Sequence, residues 1–372
     1  MPALRVRRIG RPSRPFTHLH LHTEYSILDG CGKLTAFVKR AEEQRMTAVC
    51  MTEHGTMRGI YSQYTACGKH GIQPIYGIEF YMAPDMRQKG LTDEQRAMAT
   101  AGVTLKSEQK KAVAEAEKTL GIRDRFHICA YAMNKDGLRN LFVLSSLAWR
   151  DGFYYRPRID MKTLMAHAEG VIMTTGCASG IIPTLVLNED WEVAIARLEE
   201  LIAAFGDRLY AEIQPINYDE QKRVNKGIIT LARHFGMPLV ATNDAHYIGP
   251  EDSRNHEILL CLSTRDVLSN PNRWRFDATD LWMKSRLEME ESFHRNHPYI
   301  SEDDIMSSLD NTDVIRERCK EATLEVDRFK CLLPPVAIPE EDWGDFKEWR
   351  KRKMGVDTRT DLLKAAGGLP GE

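Results

Sequence analysis

The chain has 372 residues, 42% of them hydrophobic and 28% charged, with a formal net charge of −2. This is ordinary globular composition, which excludes a disordered or collagen-like chain. No run approaches the ~18 apolar residues of a membrane span, and the near-neutral balance gives no whole-molecule field for nucleic acid.

Eight cysteines (Cys31, Cys50, Cys67, Cys129, Cys177, Cys261, Cys319 and Cys331) form no CxxC pair. Irregular spacing in a chain of this size predicts reduced thiols and argues against a disulfide framework or a zinc finger. The N-terminus lacks the apolar core of a signal peptide, so a soluble, cytoplasmic protein is expected.

In chain order, residues 1–15 carry Arg5, Arg7, Arg8, Arg11 and Arg14 with no acidic residue. They predict a flexible basic arm able to touch phosphates. The first predicted strand, Thr17–Thr23, places His18, His20 and His22 at alternate positions with Leu19 and Leu21 between them. Alternation in a strand aims imidazoles to one face and aliphatic groups to the other. Two such imidazoles can lean onto one cation at ~2.0–2.1 Å from each nitrogen.

Six further apolar runs predict strands: Ala48–Thr52, Ile75–Met82, Phe126–Met133, Val171–Thr175, Leu209–Ile213 and Pro238–Thr242. Helix periodicity lies between them, at Lys33–Met46 (Leu34, Phe37, Val38, Ala41) and Asp136–Trp149 (Leu138, Leu141, Phe142, Leu144). It recurs at Asp190–Phe205 and Tyr218–Phe235. Alternating strands and helices imply parallel strands with helical crossovers. Seven such units with reactive residues mostly at strand C-termini predict a barrel, whose active site is built on that face. A doubly wound sheet is disfavoured because no GxGxxG follows the first strand.

Two regions break the rhythm. Residues 85–123 form a charged insertion with one clear helix, SEQKKAVAEAEKTLG. Beyond His246 the pattern turns helical, at Glu251–Leu262, Glu288–Phe293 and Ser307–Glu325, and Pro334, Pro335 and Pro339 then mark a linker. The expected organisation is an arm (1–15), a barrel (16–255), a helical segment (256–335) and a weakly ordered charged tail (336–372).

The ligand-competent residues near strand ends are His20, His22, Asp29, His54, Glu79, His127, Cys177, Asp244 and His246. Nine donors exceed one four-coordinate zinc and suit two or three hydrolytic ions sharing carboxylates. Zinc or manganese fits the His/Asp/Glu/Cys set.

The segments HLHLHTEYSILDG (18–30), MTEHG (51–55), PIYGIEFYMAP (74–84), GFYYRPRID (152–160), TTGCASG (174–180) and ATNDAHYIGPEDSRNHEILLCL (241–262) carry a family resemblance. The chain resembles the PHP (polymerase and histidinol phosphatase) family over about residues 16–335. GFYYRPRID and NPNRWRFD place it nearer the polymerase branch, the N-terminal part of bacterial DNA polymerase III alpha subunits. The resemblance implies an α/β fold, a distorted (βα)7 TIM-like barrel with a C-terminal helical extension. It implies that all nine donors above are metal ligands. His20, His22, Glu79 and Asp244 would hold one ion, and Glu79, His127 and Cys177 a second. Asp29, His54 and His246 would hold a third, with His18 supporting from outside the ligand set.

The expected activity is metal-dependent phosphodiester hydrolysis at a DNA 3′ end, that is, a 3′–5′ exonuclease in replication. His20, His22, Glu79 and Asp244 would be catalytic, and Tyr154, Tyr155, Arg156 and Arg158 would contact substrate. Alternatives are a small-molecule phosphoesterase or a non-catalytic scaffold for a polymerase piece. No Asp-x-Asp of a polymerase palm occurs, and the chain departs from the family after Pro339. Polymerisation by this chain alone is therefore not expected. Its partners would be a DNA primer end and a separate palm polypeptide or other replisome subunits, with no membrane.

Overall fold

In the computed structural model, the described residues are 15–324, with 348 and 351 beyond them. The basic arm before residue 15, the last part of the expected helical segment and the charged tail lie outside them. Compact packing runs to Leu324.

Six of the apolar runs become strands of a seven-stranded sheet, joined by an unexpected short strand, β4: β1 (Ala48–Met51), β2 (Gln73–Met82), β3 (Phe126–Ala132), β4 (Arg158–Ile159), β5 (Val171–Thr174), β6 (Leu209–Ile213) and β7 (Leu239–Ala241). The order is β1-β2-β3-β5-β6-β7, with β4 paired to β2. β1, β3, β5, β6 and β7 begin within a residue of expectation, and β2 two residues earlier. The seventh expected strand does not form a ladder. Residues 17–23 make a single bridge, Leu21 to Ala245. Hydrogen bonds run from Cys50 N to His18 O (3.0 Å) and Thr52 N to Leu21 O (2.9 Å) on one side, and from His22 N to Ala245 O (2.8 Å) on the other. The histidine segment thus joins β1 to the end of β7 and closes the sheet into a distorted TIM-like barrel.

Two expectations need correction here. The sheet is not all parallel: β3 runs antiparallel to both β2 and β5. The cause is the 85–123 insertion, which returns the chain beside β2 as a long hairpin, Met82 facing Phe126, in place of a crossover. The faces of residues 17–23 also do not separate cleanly, since Leu19 and Leu21 enter different core clusters.

Amphipathic helices cover the sheet. Leu34–Glu43 buries Leu34, Phe37, Val38 and Ala41 as expected. Lys135–Arg150 buries Leu138, Leu141 and Leu144, whereas Phe142 is 36% exposed. Four helices were not anticipated: Ile60–His70, Asp93–Ala99, Met161–Met165 and Ile181–Leu187. The helix Glu302–Arg318 places Ile315 in the cluster of Leu19, Cys50, Cys129 and Val240, joined by Cys319 just past its end. Asn311 Nδ2 donates to Leu239 O (2.7 Å), and Thr17 N donates to Thr312 Oγ1 (3.2 Å). The boundary expected at 255 therefore falls inside one packed unit, because these helices fill one end of the core. The seven described cysteines are all free.

Arg158 is completely buried. Its guanidinium donates to the carbonyls of Gly152 (3.2 Å), Ile122 (2.6 Å), Met86 (3.3 Å) and Gln88 (3.0 Å). It ties both ends of the insertion to the barrel, so the substrate contact expected of it is corrected to an anchoring role. Removing it would orphan several buried acceptors at once. Arg158→Met is expected to cost about 3 kcal/mol in urea unfolding and to speed proteolysis within 85–123. Unchanged stability would overturn that role.

Candidate metal centre

Glu79 sits on β2, nearly fully buried, and imidazoles surround its carboxylate. Oε1 faces His20 Nε2 (3.2 Å), His127 Nδ1 (2.9 Å) and Cys177 Sγ (3.9 Å). Oε2 faces His22 Nε2 (3.9 Å) and makes a short contact with His54 Nδ1. His54 Nε2 reaches Asp29 Oδ1 at 3.2 Å. Asp244 Oδ1 stands 3.2 Å from both His20 Nε2 and His22 Nε2, and 3.6 Å from His246 Nδ1. All nine residues expected as donors are thus brought together.

The backbone explains how. His54 follows β1, Cys177 follows β5, and Asp244 and His246 follow β7, all at strand C-terminal ends. His127 is the second residue of β3, and only the antiparallel direction of β3 carries it to the same face. Asp244 takes a left-handed φ of +46°, a conformation Asp tolerates better than most residues. Gly55 (φ +61°) turns the chain after His54, and a Cβ there would lie 2.6 Å from Pro157. His18 stands apart, its Nε2 paired with Lys284 O (2.7 Å).

Burial and charge oppose one another here. Burial would raise the Glu79 carboxyl, but the imidazoles of His127 and His54 outweigh it and hold it well below the usual range. Burial likewise opposes ionisation of Asp244, which His20 and His246 restore. His20 is driven up by Asp244 against its own desolvation. Desolvation, reinforced by His54, pushes His22 down to about 3, leaving a neutral imidazole suited to ligation. Burial, with Asp244 and Glu79, raises the Cys177 thiol well above its ordinary value.

Two features test whether this set suits cations. Donors held ~2.1 Å from a common tetrahedral ion stand roughly 3.4 Å apart, close to the 3.2–3.9 Å separations around Glu79 and Asp244. Four donor atoms, His22 Nε2, Asp29 Oδ1, Asp244 Oδ1 and His246 Nε2, are buried without a well-aligned hydrogen bond, although the first three lie within ion-pairing distance of a neighbour. Buried polar atoms rarely go unpaired unless something else satisfies them. His20, His22 and Glu79, then His54, Glu79 and His127, and also His22, His54 and His246, each offer atoms within 4.8 Å of one another. The cluster can hold metal.

Supporting groups were missed in the sequence reading. Glu212 on β6 accepts at Oε1 from His20 Nδ1 (2.8 Å), Thr242 Oγ1 (2.5 Å) and Gln214 Nε2 (3.0 Å), and at Oε2 from Thr174 Oγ1 (2.5 Å). Ser26 Oγ pairs with His22 Nδ1 (3.0 Å) and donates to Glu53 Oε2 (2.6 Å). These contacts orient the imidazoles. A lone carboxylate inside the apolar run LYAEI was the available signal for Glu212.

Of the expected substrate residues, Arg156 lines a cleft with Asp29, His54, Tyr81 and Trp149, enclosing about 510 Å³ of empty space, open solvent included. Tyr154 is half-buried, its ring 5.2 Å from the Arg158 guanidinium. Tyr155 is 66% exposed, with Arg123 5.8 Å from its ring.

Glu212→Ala is expected to weaken zinc binding about 10- to 100-fold in calorimetric titration while leaving the far-UV spectrum unchanged. Glu79→Ala should lower the number of ions bound. Equal affinity and stoichiometry in both variants would show that neither residue matters to metal.

The PHP domain family matches residues 18–215. The DNA polymerase III subunit alpha of Borreliella burgdorferi is 32% identical over 325 residues, covering 87% of this chain and 25% of the relative. That of Thermus aquaticus is 34% identical over 331 residues, covering 87% and 24%. The chain thus spans about a quarter of the length of these relatives. A solved amidohydrolase structure from Chromobacterium violaceum aligns with 65% of this chain and 96% of its own, at 14% identity and a TM-score of 0.33. Among the described residues no helix is long and apolar enough to cross a membrane. With its nine donors gathered on one barrel face, and with more than half its length matched, the chain belongs to the PHP domain family.

Proposed function

We propose that this chain is a metal-dependent phosphodiesterase that removes nucleotides from a DNA 3′ end, a 3′–5′ exonuclease. The observation that carries the reading is the convergence of nine donors on Glu79 and Asp244, with buried donor atoms left without a well-aligned hydrogen bond, beside an open cleft. His20, His22, Glu79 and Asp244 would hold one cation. Glu79, His127 and Cys177 would hold a second, and Asp29, His54 and His246 a third, with zinc or manganese matching the donor set. Divalent cations in such a site supply Lewis acidity toward phosphate and acidify water.

The chain's own residues do the remaining work. Glu212 fixes the tautomer and direction of His20 by occupying its Nδ1. Ser26, held by Glu53, does the same for His22. Arg156 offers a guanidinium at the cleft for a phosphate oxygen. Similarity to polymerase alpha subunits supports DNA as substrate and a replisome setting, with a separate polypeptide providing the palm.

The test is hydrolysis of a 3′-labelled primer–template by the purified chain with EDTA, zinc or manganese. Stepwise, metal-dependent release of 3′ nucleotides is expected, falling at least about 100-fold in His20→Ala and Asp244→Asn. Turnover of nitrophenyl phosphate but not of DNA would replace this reading with a small-molecule phosphoesterase. Tight metal binding without turnover on any ester would make the chain a scaffold.

A further inference from the structure

The cleft beside the metal cluster carries a second set of residues with no part in holding cations. Its wall runs from Asp29 and His54 to Arg58, Trp149 and Arg156. Trp149, at the end of the helix Lys135–Arg150, is 40% exposed. Its indole Nε1 donates to Gly55 O (2.9 Å), which fixes the ring beside the turn that follows His54. Phe153, 43% exposed, stacks with it at 5.5 Å between centroids and 20° between planes. The Arg58 guanidinium lies 5.1 Å from the Trp149 ring. Arg156 lies 6.0 Å from the Tyr81 ring, which in turn stacks on His54 at 5.9 Å. Among the described residues, neither Arg58 nor Arg156 is matched with a carboxylate in an ion pair.

Rigid, half-exposed aromatic rings interleaved with unmatched guanidinium groups are how proteins hold unpaired nucleic acid. Bases stack on the rings, and phosphates meet the cations. A small phosphoester would fill the metal end and leave this wall untouched. Base-paired DNA hides its ring faces in the stack, so a duplex end would have to open first.

Building on the phosphodiesterase reading above, we propose that this cleft is the subsite for an unpaired polynucleotide strand. Trp149 stacks a base flanking the bond to be cut, and Arg58 and Arg156 hold the adjoining phosphates. The substrate is then a single-stranded or frayed end, in preference to a paired end or a small phosphoester.

The experiment measures binding of fluorescein-labelled oligo(dT) to the full chain by anisotropy, with EDTA present so that nothing turns over. Trp149→Ala is expected to weaken binding about ten-fold, and Trp149→Phe to restore most of it, because a ring still stacks. Arg58→Gln, at an exposed side chain, should weaken binding and reduce its salt dependence by about one counterion. Wild-type affinity in both Trp149→Ala and Arg58→Gln, or equal affinity for blunt duplex, would overturn the subsite. Bis(nitrophenyl) phosphate hydrolysis with manganese separates the two readings. Strand binding that depends on Trp149, without any hydrolysis, would leave the subsite standing and remove the phosphodiesterase. Hydrolysis with binding indifferent to Trp149 would do the reverse.

Discussion

One buried carboxylate organises this molecule. Glu79 faces four imidazoles and a thiol from four separate chain segments, almost wholly out of water. A group so placed is costly to bury unless opposite charge is packed around it. The imidazoles of His127 and His54 keep it ionised, and the resulting field keeps donors of both kinds within a few ångströms. The barrel is the device that makes this possible, since only a closed sheet brings so many strand ends to one point.

The supporting contacts are polar and nearly complete. His20 leans on Glu212, and His22 on Ser26 and Glu53, while His246 Nδ1 pairs with Asp244 O (2.8 Å). Of the buried polar atoms that make no hydrogen bond, His22 Nε2, Asp29 Oδ1, Asp244 Oδ1 and His246 Nε2 belong to this cluster, while others, such as those of Thr65 and Tyr131, lie elsewhere. Four such atoms gathered in one small volume, each on a ligand-competent side chain, mark a place able to receive a cation.

Two arginines two positions apart show how far local sequence can mislead. Arg156 and Arg158 share the segment YYRPRID, and both read as phosphate contacts. In the structure Arg156 borders the cleft, while Arg158 is sealed under the insertion on four carbonyls. Strict alternation would send residues two positions apart to the same face; the two part because Arg158 lies in β4, under the insertion, while Arg156 precedes that strand. The aromatic reading met a similar outcome: Tyr154 is half-buried against Arg158, and Trp149, unremarked in sequence beyond its helix, lines the cleft.

The nine ligand-competent side chains, six of the strand runs and most of the amphipathic helices were legible in the sequence by itself, because hydrophobic period and the chemistry of His, Asp, Glu and Cys are local properties. The direction of β3 was not, since parallel and antiparallel pairing use the same apolar residues and only the path of the 85–123 insertion decides between them. The closure of the sheet by residues 17–23 was not legible either: it depends on hydrogen bonds to β1 and to Ala245, more than 220 residues further along the chain. Glu212 and the cleft aromatics were hidden for the same reason. A side chain's partners are set by which distant segments fold against it, and tertiary structure alone decides that.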